Sequence, residues 1–382
     1  MSSTGPTKEN TQKYVVLANL LGGKIESGEL KPGAQLPSMA DLRVLYGASQ
    51  PTAERAYSLL ERDGLIIRKP YRGVFVADLQ QTRRQCILGV SMPSHLEAHN
   101  YYERVLRGIR SVARDEQLEL LILHENSVLR WEKVDGVLLT THSRAVFESL
   151  PQGMPAVSLL QPLRAGVSVV ADDEQGMRTL VEHLLAQGHR GIALFTAGLI
   201  PGHATDIFYP NAGLPRVKGY YEAMRAAGIE PDPRWLRPLR APGDPMQRFE
   251  ELGRVGIKRW LAENWAELGC TAFLAHNDET AIGVIEALQE AGIRVPEDVS
   301  VAGFDGLDIA EYFRPRLTTV EVPLEEIGAK GARLLLEQVR MPLAALRRET
   351  DQKRSRRLDL EARLRIGDSS GPCLALEALF ED

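Results

Sequence analysis

From residue 87 onward, short apolar runs alternate with longer segments whose apolar residues recur at helical spacing. This alternation predicts parallel sheets with helices on both faces, a doubly wound α/β architecture. Ligands in such folds bind beyond the carboxyl ends of the strands, so the residues that follow each run are candidate ligand residues. The runs that set this pattern are "ILGVSM" (87–92), "LELLIL" (118–123), "VDGVLLT" (134–140), "AVSLL" (156–160), "VSVVAD" (167–172) and "GIALFTA" (191–197).

The first eighty residues have a different pattern, with helical segments separated by glycine and proline. Residues 14–25 carry apolar side chains at steps of three and four, and the breakers in 27–37 then turn the chain. Ser38, followed three residues later by Asp41, is a near capping box for a short helix that ends at Gly47. A second helix follows over 49–64. Two short helices joined by a tight turn predict a helix-turn-helix.

Two β-rich runs, 65–68 and 74–77, follow the helix pair and predict a β-wing around the tip between them. Charge also distinguishes this segment. Residues 1–85 hold 12 Lys and Arg against 8 Asp and Glu, whereas the rest of the chain holds 34 against 43. A basic front on an acidic body favours the N-terminal segment as the one that meets a polyanion.

The stretch "IESGELKPGAQLPS", the helix pair, "LERDGLI" and "RGVFVA" together resemble the winged helix-turn-helix of GntR-family repressors over residues 10–77. The resemblance implies double-stranded operator DNA as a partner, with the second helix in the major groove. The alternative is a winged helix used only for protein contacts. The DNA contacts implied by the resemblance are Ser38, Ser49, Gln50, Thr52, Arg55, Arg72 and Gly73.

The head departs from its family at several positions. Family members commonly carry arginine where this chain has Ala40, Gln50 and Glu54, and a second wing glycine where it has Tyr71. Gln50 can pair with adenine N6 and N7, whereas arginine favours guanine. Glu54 would repel phosphates unless it accepts from a cytosine amine. These differences predict an altered base preference.

After a linker at 78–85, the motifs "VDGVLL", "HLLAQGHRGIALF" and the run from Thr271 to Val339 follow the order of LacI-type regulators. These use a two-lobed domain similar to periplasmic sugar-binding proteins. A GntR-like head on a LacI-like body resembles the AraR-type sugar-responsive repressors. The resemblance implies a homodimer and a small effector, a sugar, between the lobes of residues 86–370. The implied segments are 86–171 and 323–340 for lobe 1, and 172–320 and 357–370 for lobe 2.

The resemblance further implies that Arg216, Asn277 of "HND" and Asp305 of "GFDG" bind the ligand. Charged planar groups form paired, strong hydrogen bonds, which suit the vicinal hydroxyl groups of a sugar. Further candidates for the walls of the cleft are Ser91 and Tyr101, which follow the apolar core of the first strand, Thr140 after "GVLL" and Asp172 after "VSVV".

Each candidate has a structural alternative. Asp172, with its neighbour Asp173, can instead cap a helix. Asp278 is expected to stabilise the start of the helix at 279–291 rather than touch the ligand. Arg216 can be a surface residue, and Asp305 can form a turn.

The body also departs from the family pattern. Glu321, Val322 and Pro323 follow "LTTV", where relatives usually carry a polar pair, and Gly367 stands where relatives often have arginine. Only ten residues separate "LELLIL" from "VDGVLL", so one lobe is expected to lack a helix on one face. The remaining expectations are loops at 199–215 and 240–250 that line the cleft, and a charged connector in "RRETDQKRSRR".

Other classes of protein find little support. The chain lacks G-x-S-x-G, Walker A, G-x-G-x-x-G after a strand, and H-E-x-x-H, so an enzyme on a binding-protein-like scaffold is only the alternative. No cofactor is expected.

The absence of an apolar region at the start and of a membrane-length run favours a cytoplasmic regulator over a secreted solute-binding protein. Metal binding and disulfides are not expected, because neither spacing fits among Cys86, Cys270, Cys373, His183, His189 and His276.

Overall fold

In a computed structural model, the chain forms two compact units, Met1–Cys86 and Ile87–Asp382. The predicted linker and most of the two predicted loops lie outside the described residues, as does most of the charged connector. The structure describes residues 8–62, 64–69, 72–77, 86–92, 100–124, 131–140, 149–151, 153–163, 166–196, 214–239, 248–263, 265–341 and 355–373.

The first unit is a three-helix head with a two-stranded wing, which confirms the predicted winged helix-turn-helix. Its wing strands pair antiparallel from Ile66 opposite Val76 to Lys69 opposite Gly73. The helices surround a small core that includes the fully buried Leu42 and Tyr57. The elements are α1 (Lys8–Glu26), α2 (Met39–Tyr46), α3 (Gln50–Arg62), β1 (Ile66–Lys69) and β2 (Gly73–Val76).

Local sequence fixes the ends of α2. The Ser38 hydroxyl accepts from the Asp41 amide at 3.2 Å, and the Asp41 carboxylate accepts from the Ser38 amide at 2.9 Å, which completes the predicted capping box. Gly47 ends the helix with φ of 63°, a left-handed conformation that glycine adopts without steric cost. The Tyr57 hydroxyl donates to the Pro37 carbonyl and so anchors α3 to the chain before α2.

The second unit is the predicted two-lobed α/β domain. Each lobe has a six-stranded sheet, and its buried strands read as near-continuous apolar runs, as parallel strands covered on both faces do. In chain order the elements are β3 (Ile87–Met92), α4 (Asn100–Asp115), β4 (Glu119–His124), β5 (Gly136–Leu139), β6 (Ala156–Leu159), β7 (Gly166–Ala171), α5 (Asp173–Ala186), β8 (Ile192–Thr196), α6 (Leu214–Ala226), β9 (Leu236–Pro238), α7 (Phe249–Glu263), α8 (Trp265–Leu268), β10 (Ala272–Leu274), α9 (Asp278–Glu290), β11 (Ser300–Asp305), α10 (Asp308–Tyr312), β12 (Thr318–Glu321), α11 (Leu324–Arg340), β13 (Ser355–Leu360) and β14 (Arg363–Arg365).

The strand order is β13-β7-β6-β5-β3-β4 in lobe 1 and β14-β12-β11-β10-β8-β9 in lobe 2. All of the pairings are parallel except that of β14 with β12. Helices α4 and α11 pack together in lobe 1, and the pairs α5 with α6 and α7 with α9 pack in lobe 2. The lobe 2 core includes Phe195, stacked on Trp260 with 5.3 Å between ring centroids.

The chain crosses between the lobes three times: after β7, after β12 and after β13. The last crossing corrects the predicted boundary. Residues 357–370 were expected in lobe 2, but β13 pairs with β7 in lobe 1 from Ser355 to Leu360, and only the chain from Glu361 onward enters lobe 2. An exposed edge strand carries too weak an apolar pattern to reveal which sheet it extends.

The chain between β4 and β5 is short, as expected. Its described residues contain a single 3-10 turn, Trp131–Lys133, and residues 125–130 lie outside the described part. Among the helices that the structure describes, none combines the length and the apolar character that crossing a membrane requires.

Candidate functional site

Arg216 joins three parts of lobe 2 through one guanidinium group. Its Nε donates to the Asp173 carboxylate at 3.2 Å, its Nη1 to the His276 carbonyl at 2.6 Å, and its Nη2 to Asp305 Oδ1 at 3.1 Å. The guanidinium carbon lies 3.8 Å from the ring centroid of Phe304. The side chain is 11% exposed, so the structure argues against the alternative of a surface residue.

Burial and the neighbouring charges act in opposite directions on the pKa values of Arg216 and Asp305. Burial alone would lower the pKa of Arg216, but the carboxylates of Asp173 and Asp305 more than offset it, so the net pKa is raised. Burial raises the pKa of Asp305 to about 7, against the opposing charge of Arg216. Asp305 can therefore both donate and accept hydrogen bonds near neutral pH.

Asp305 has a strained backbone. Its φ is 109°, a value that residues with a side chain rarely adopt. Such conformations persist where the surroundings hold them, and they cluster at ligand sites. A plain turn at the end of β11 could use glycine here without strain, so the conformation favours a role for the carboxyl group.

In lobe 1, Tyr101 lies near enough to this network for the charges of Asp305 and Arg216 to act on it. This side chain is half-buried in the first turn of α4. Burial raises the pKa of Tyr101 well above its ordinary value, the charge of Asp305 raises it further, and the charge of Arg216 opposes the change. These charges act on Tyr101 because it lies across the cleft from the lobe 2 network. The structure thus brings together three of the predicted ligand residues: Tyr101, Arg216 and Asp305.

Arg104 also lies at this site and is not among the residues predicted from the sequence. Its Nη1 donates to the Gly306 carbonyl at 2.9 Å, and its Nη2 lies 3.6 Å from Glu321 Oε1. The side chain is 12% exposed. Arg104 stands three residues after Tyr101, which puts both on one face of a helix. This three-residue spacing from Tyr101 is the feature of the sequence from which Arg104 could have been predicted.

Ser91 and Thr140 lie at the ends of neighbouring strands in lobe 1, and both are buried. The Thr140 hydroxyl donates to the Ser91 carbonyl. The Ser91 hydroxyl is buried and has no hydrogen-bond partner among the described residues. A buried polar group without a partner is unfavourable, so Ser91 is the better candidate of the two for a ligand contact.

The predicted residues Asn277 and Asp172 both cap helices. Asn277 Oδ1 accepts from the Thr280 amide at 2.9 Å, and Asp172 Oδ1 accepts from the Gln175 amide at 3.0 Å. The carbonyl oxygen of Asn277 is therefore engaged, and only its amide group is left for a ligand. The structure gives Asp172 the capping role that was its alternative.

Asp278 is fully buried, and burial raises its pKa well above the ordinary value. Its carboxyl group accepts from the Leu307 amide at 2.6 Å and from the Thr319 hydroxyl at 2.5 Å. These bonds tie the first residue of α9 to the chain after β11 and to β12. The contacts are those of a structural residue, but they hold the loop after β11 and β12 rather than the first turn of α9.

The histidines of lobe 2 serve packing. His189 Nδ1 lies 2.9 Å from the Thr271 hydroxyl, and its Nε2 lies 3.0 Å from the Gly371 carbonyl. Burial lowers the pKa of His183 and His189, and burial beside Arg216 lowers that of His276 to about 3. Among the described residues, no three His, Cys, Asp or Glu side chains are arranged to hold a metal ion.

In the head, Ser49, Gln50 and Arg55 are exposed on the N-terminal half of α3, and Arg72 is exposed in the wing. Gly73 has φ of 104°, and a Cβ there would lie 2.8 Å from Gln35 Nε2. The wing therefore requires glycine at this position. The structure leaves these predicted DNA-contacting residues accessible.

Two other predicted DNA contacts are engaged within the head. Thr52 is 7% exposed, and its hydroxyl lies 2.8 Å from that of Ser49. It shares the buried face of α3 with Ala53 and Ala56. Thr52 therefore packs inside the head and does not face the DNA groove, contrary to the prediction. The Ser38 hydroxyl serves the cap of α2.

Comparison with known proteins matches each unit separately. Residues 13–76 match the model of bacterial regulatory proteins of the gntR family, and residues 181–370 match that of the periplasmic binding protein-like domain. The chain is 24% identical to the arabinose metabolism transcriptional repressor of Geobacillus stearothermophilus, over 87% of this chain and 93% of that protein. It is 26% identical to the repressor of the same name from Halalkalibacterium halodurans, over 85% and 88%.

Among solved structures, a LacI family transcriptional regulator from Enterococcus faecium with bound ribose is similar, with a TM-score of 0.58 and 25% identity. It covers 75% of this chain and 100% of its own. These relatives are transcriptional regulators. The chain is thus similar to gntR-family regulators over its first unit and to periplasmic binding protein-like domains over residues 181–370 of its second.

Proposed function

We propose that this protein is a DNA-binding transcriptional regulator whose affinity for its operator is set by a sugar bound between the two lobes. One observation carries the proposal: an arginine of each lobe bonds to the adjacent residues Asp305 and Gly306, with Tyr101 of lobe 1 close by. Lobe 1 supplies Tyr101 and Arg104, and lobe 2 supplies Arg216 and Asp305. The arabinose repressors and the ribose-bound regulator named above support a sugar as the ligand.

The network suits hydroxyl groups, each of which donates and accepts. A guanidinium has five N–H donors, and Arg216 uses three of them in the hydrogen bonds within lobe 2. Two donors remain for a ligand. The second oxygen of Asp305, the phenol of Tyr101 and the unpartnered hydroxyl of Ser91 add groups that donate or accept.

We further propose that the protein acts in the cytoplasm as a homodimer that presents two heads to a pseudo-palindromic operator. Closure of the lobes about the three crossovers would change the spacing of the heads. Typical allosteric coupling of about 1–3 kcal/mol corresponds to a change in operator affinity of roughly 5–150-fold. The proposal assigns no enzymatic reaction to the chain.

A thermal-shift screen of the full chain against neutral sugars, sugar acids and sugar phosphates tests the ligand. A ligand that binds the folded state raises the melting temperature by mass action. Each hit is then added to a DNA-binding assay with fragments selected from a randomised library. We expect at least one sugar both to raise the melting temperature and to change DNA affinity. A chain that binds no DNA at low salt contradicts the proposal, and so does a hit that leaves DNA affinity unchanged.

A further inference from the structure

One guanidinium of the wing spans the exposed face of α3. Arg68 of β1 places Nη1 2.7 Å from Glu54 Oε1, and its Nε donates to Glu61 Oε2 at 2.8 Å. Its Nη2 lies 3.5 Å from the Ser58 hydroxyl. Residues 54, 58 and 61 recur at helical spacing, so they form one stripe along the helix. Arg68 thus links this stripe of α3 to the wing.

Glu54 lies at the end of the stripe that would face DNA. It follows Gln50 by four residues, so both project from one side of α3, and both are exposed. Recognition helices present their N-terminal residues to base edges. Glu61 lies about two turns further along, near the end of the helix. The Glu54 carboxylate is therefore the acidic group of the stripe that is placed to meet a base.

The carboxylate has one oxygen to spare. Oε1 contacts Arg68 Nη1, so Oε2 can accept a further hydrogen bond. An ionised carboxylate only accepts hydrogen bonds. In the major groove, the cytosine N4 amine is the donor that carboxylates read, whereas adenine sets the N7 acceptor beside its amine.

Arg68 also removes the electrostatic obstacle. A lone carboxylate near DNA would repel phosphates, and the paired guanidinium offsets its charge. Arg43, Arg55 and Arg72 are exposed and form no ion pair with another described residue, so they remain available for phosphates. The head thus has other arginines that can contact the DNA phosphates, whereas Arg68 pairs with the carboxylates of α3.

We propose that Glu54, positioned and neutralised by Arg68, reads a cytosine in each half-site of the operator. The inference rests on the proposed DNA-binding function. Arg68 is then a positioning residue within the head and makes no phosphate contact. The arginine that the family commonly carries at position 54 is replaced by a carboxylate with a different base preference.

The test uses the full-length chain with Glu54→Gln, and Glu61→Gln as the matched control that alters the other carboxylate partner of Arg68. Binding sites are selected from a randomised duplex library with the wild type. Affinity is then measured for every base at each selected position. Glu54→Gln should exchange a cytosine preference for adenine, because an amide pairs with adenine N6 and N7. We expect about fivefold or more discrimination, mirrored in both half-sites. Glu61→Gln should keep the cytosine.

A new adenine preference cannot arise from unfolding, so it separates base reading from loss of structure. Arg68→Met adds a second readout: it should lower affinity for every sequence and weaken the cytosine preference, because an unpaired carboxylate then faces the DNA. If the wild type selects clear sites and Glu54→Gln keeps the same preference at every position, the inference is overturned while the proposed function stands. If the wild type selects no sequence, the proposed function itself has failed.

Discussion

Arg104 of lobe 1 donates a hydrogen bond from Nη1 to the backbone carbonyl of Gly306 in lobe 2, 2.9 Å away. The carbonyl belongs to the residue directly after Asp305, whose side chain Arg216 holds from within lobe 2. The two arginines, one from each lobe, therefore form hydrogen bonds to adjacent residues at the end of β11. A hydrogen bond between lobes forms only when they approach, so Arg104 is placed to stabilise the closed cleft.

Replacing Arg104 with methionine should weaken sugar binding by about tenfold, because a charge-assisted hydrogen bond typically contributes about 1.5–3 kcal/mol. DNA affinity without sugar should stay within a fewfold. Calorimetric titration of the sugar found in the screen measures the effect. Arg107→Met is the control, since Arg107 is 54% exposed and pairs with Glu325 of lobe 1 at 3.1 Å. Equal losses in the two variants would mean that the contact between lobes has no part in binding.

Arg216→Ala should abolish the response to sugar and destabilise the body by about 3–5 kcal/mol, because it leaves the buried carboxyl group of Asp305 and the half-buried one of Asp173 without their cation. The head should still bind DNA within a fewfold of the wild type, since Arg216 lies in the other unit. Thermal melting and DNA binding with and without sugar report the two effects. Arg225→Ala on the same helix, where the arginine is 58% exposed and pairs with Glu230, should cost less than about 1 kcal/mol. Loss of DNA binding in Arg216→Ala would reassign the residue to general structure.

Asp305 should make the body less stable as pH rises. Its folded pKa of about 7 exceeds the ordinary value of 3.8, so the folded state holds the proton more tightly than the unfolded state. The resulting stabilisation is fully present below about pH 4 and is lost as pH rises to about 7. Melting temperatures of the wild type and Asp305→Asn, followed across this range, should diverge because asparagine does not titrate. A pH-independent difference between the two proteins would contradict this assignment.

The alternation of strands and helices and the breakers of the head were enough to predict parallel sheets covered by helices and a helix-turn-helix, because both patterns are local. The division of the body into two lobes came from the family resemblance. The partners of the site residues are not local. Gly306 lies 202 residues from Arg104, and no periodicity links the two. The family resemblance implied a DNA contact at Thr52, but its side chain is buried in the packing of the head. Edge strand β13 likewise carried no pattern that names its neighbour.

Gly73→Ala should distort the wing and weaken DNA binding. A side chain at φ of 104° is strained by about 1–3 kcal/mol, and the added Cβ would press on the Gln35 amide. Gly23→Ala is the matched change, because Gly23 lies within α1 and a Cβ there meets nothing within 4 Å. That substitution should stabilise the head by roughly 0.5–1 kcal/mol. Melting curves and DNA titrations of both variants measure these effects, and unchanged DNA binding in Gly73→Ala would remove the wing from the interface.

The central claim is that sugar in the cleft and DNA at the head are coupled, and thermodynamic linkage allows one direct test. Operator affinity of the full-length protein is titrated without sugar and at saturating sugar, and sugar affinity is titrated without and with operator. The account predicts that the two ratios are equal, within the range of roughly 5–150-fold. Operator affinity that is the same at zero and at saturating sugar would contradict it.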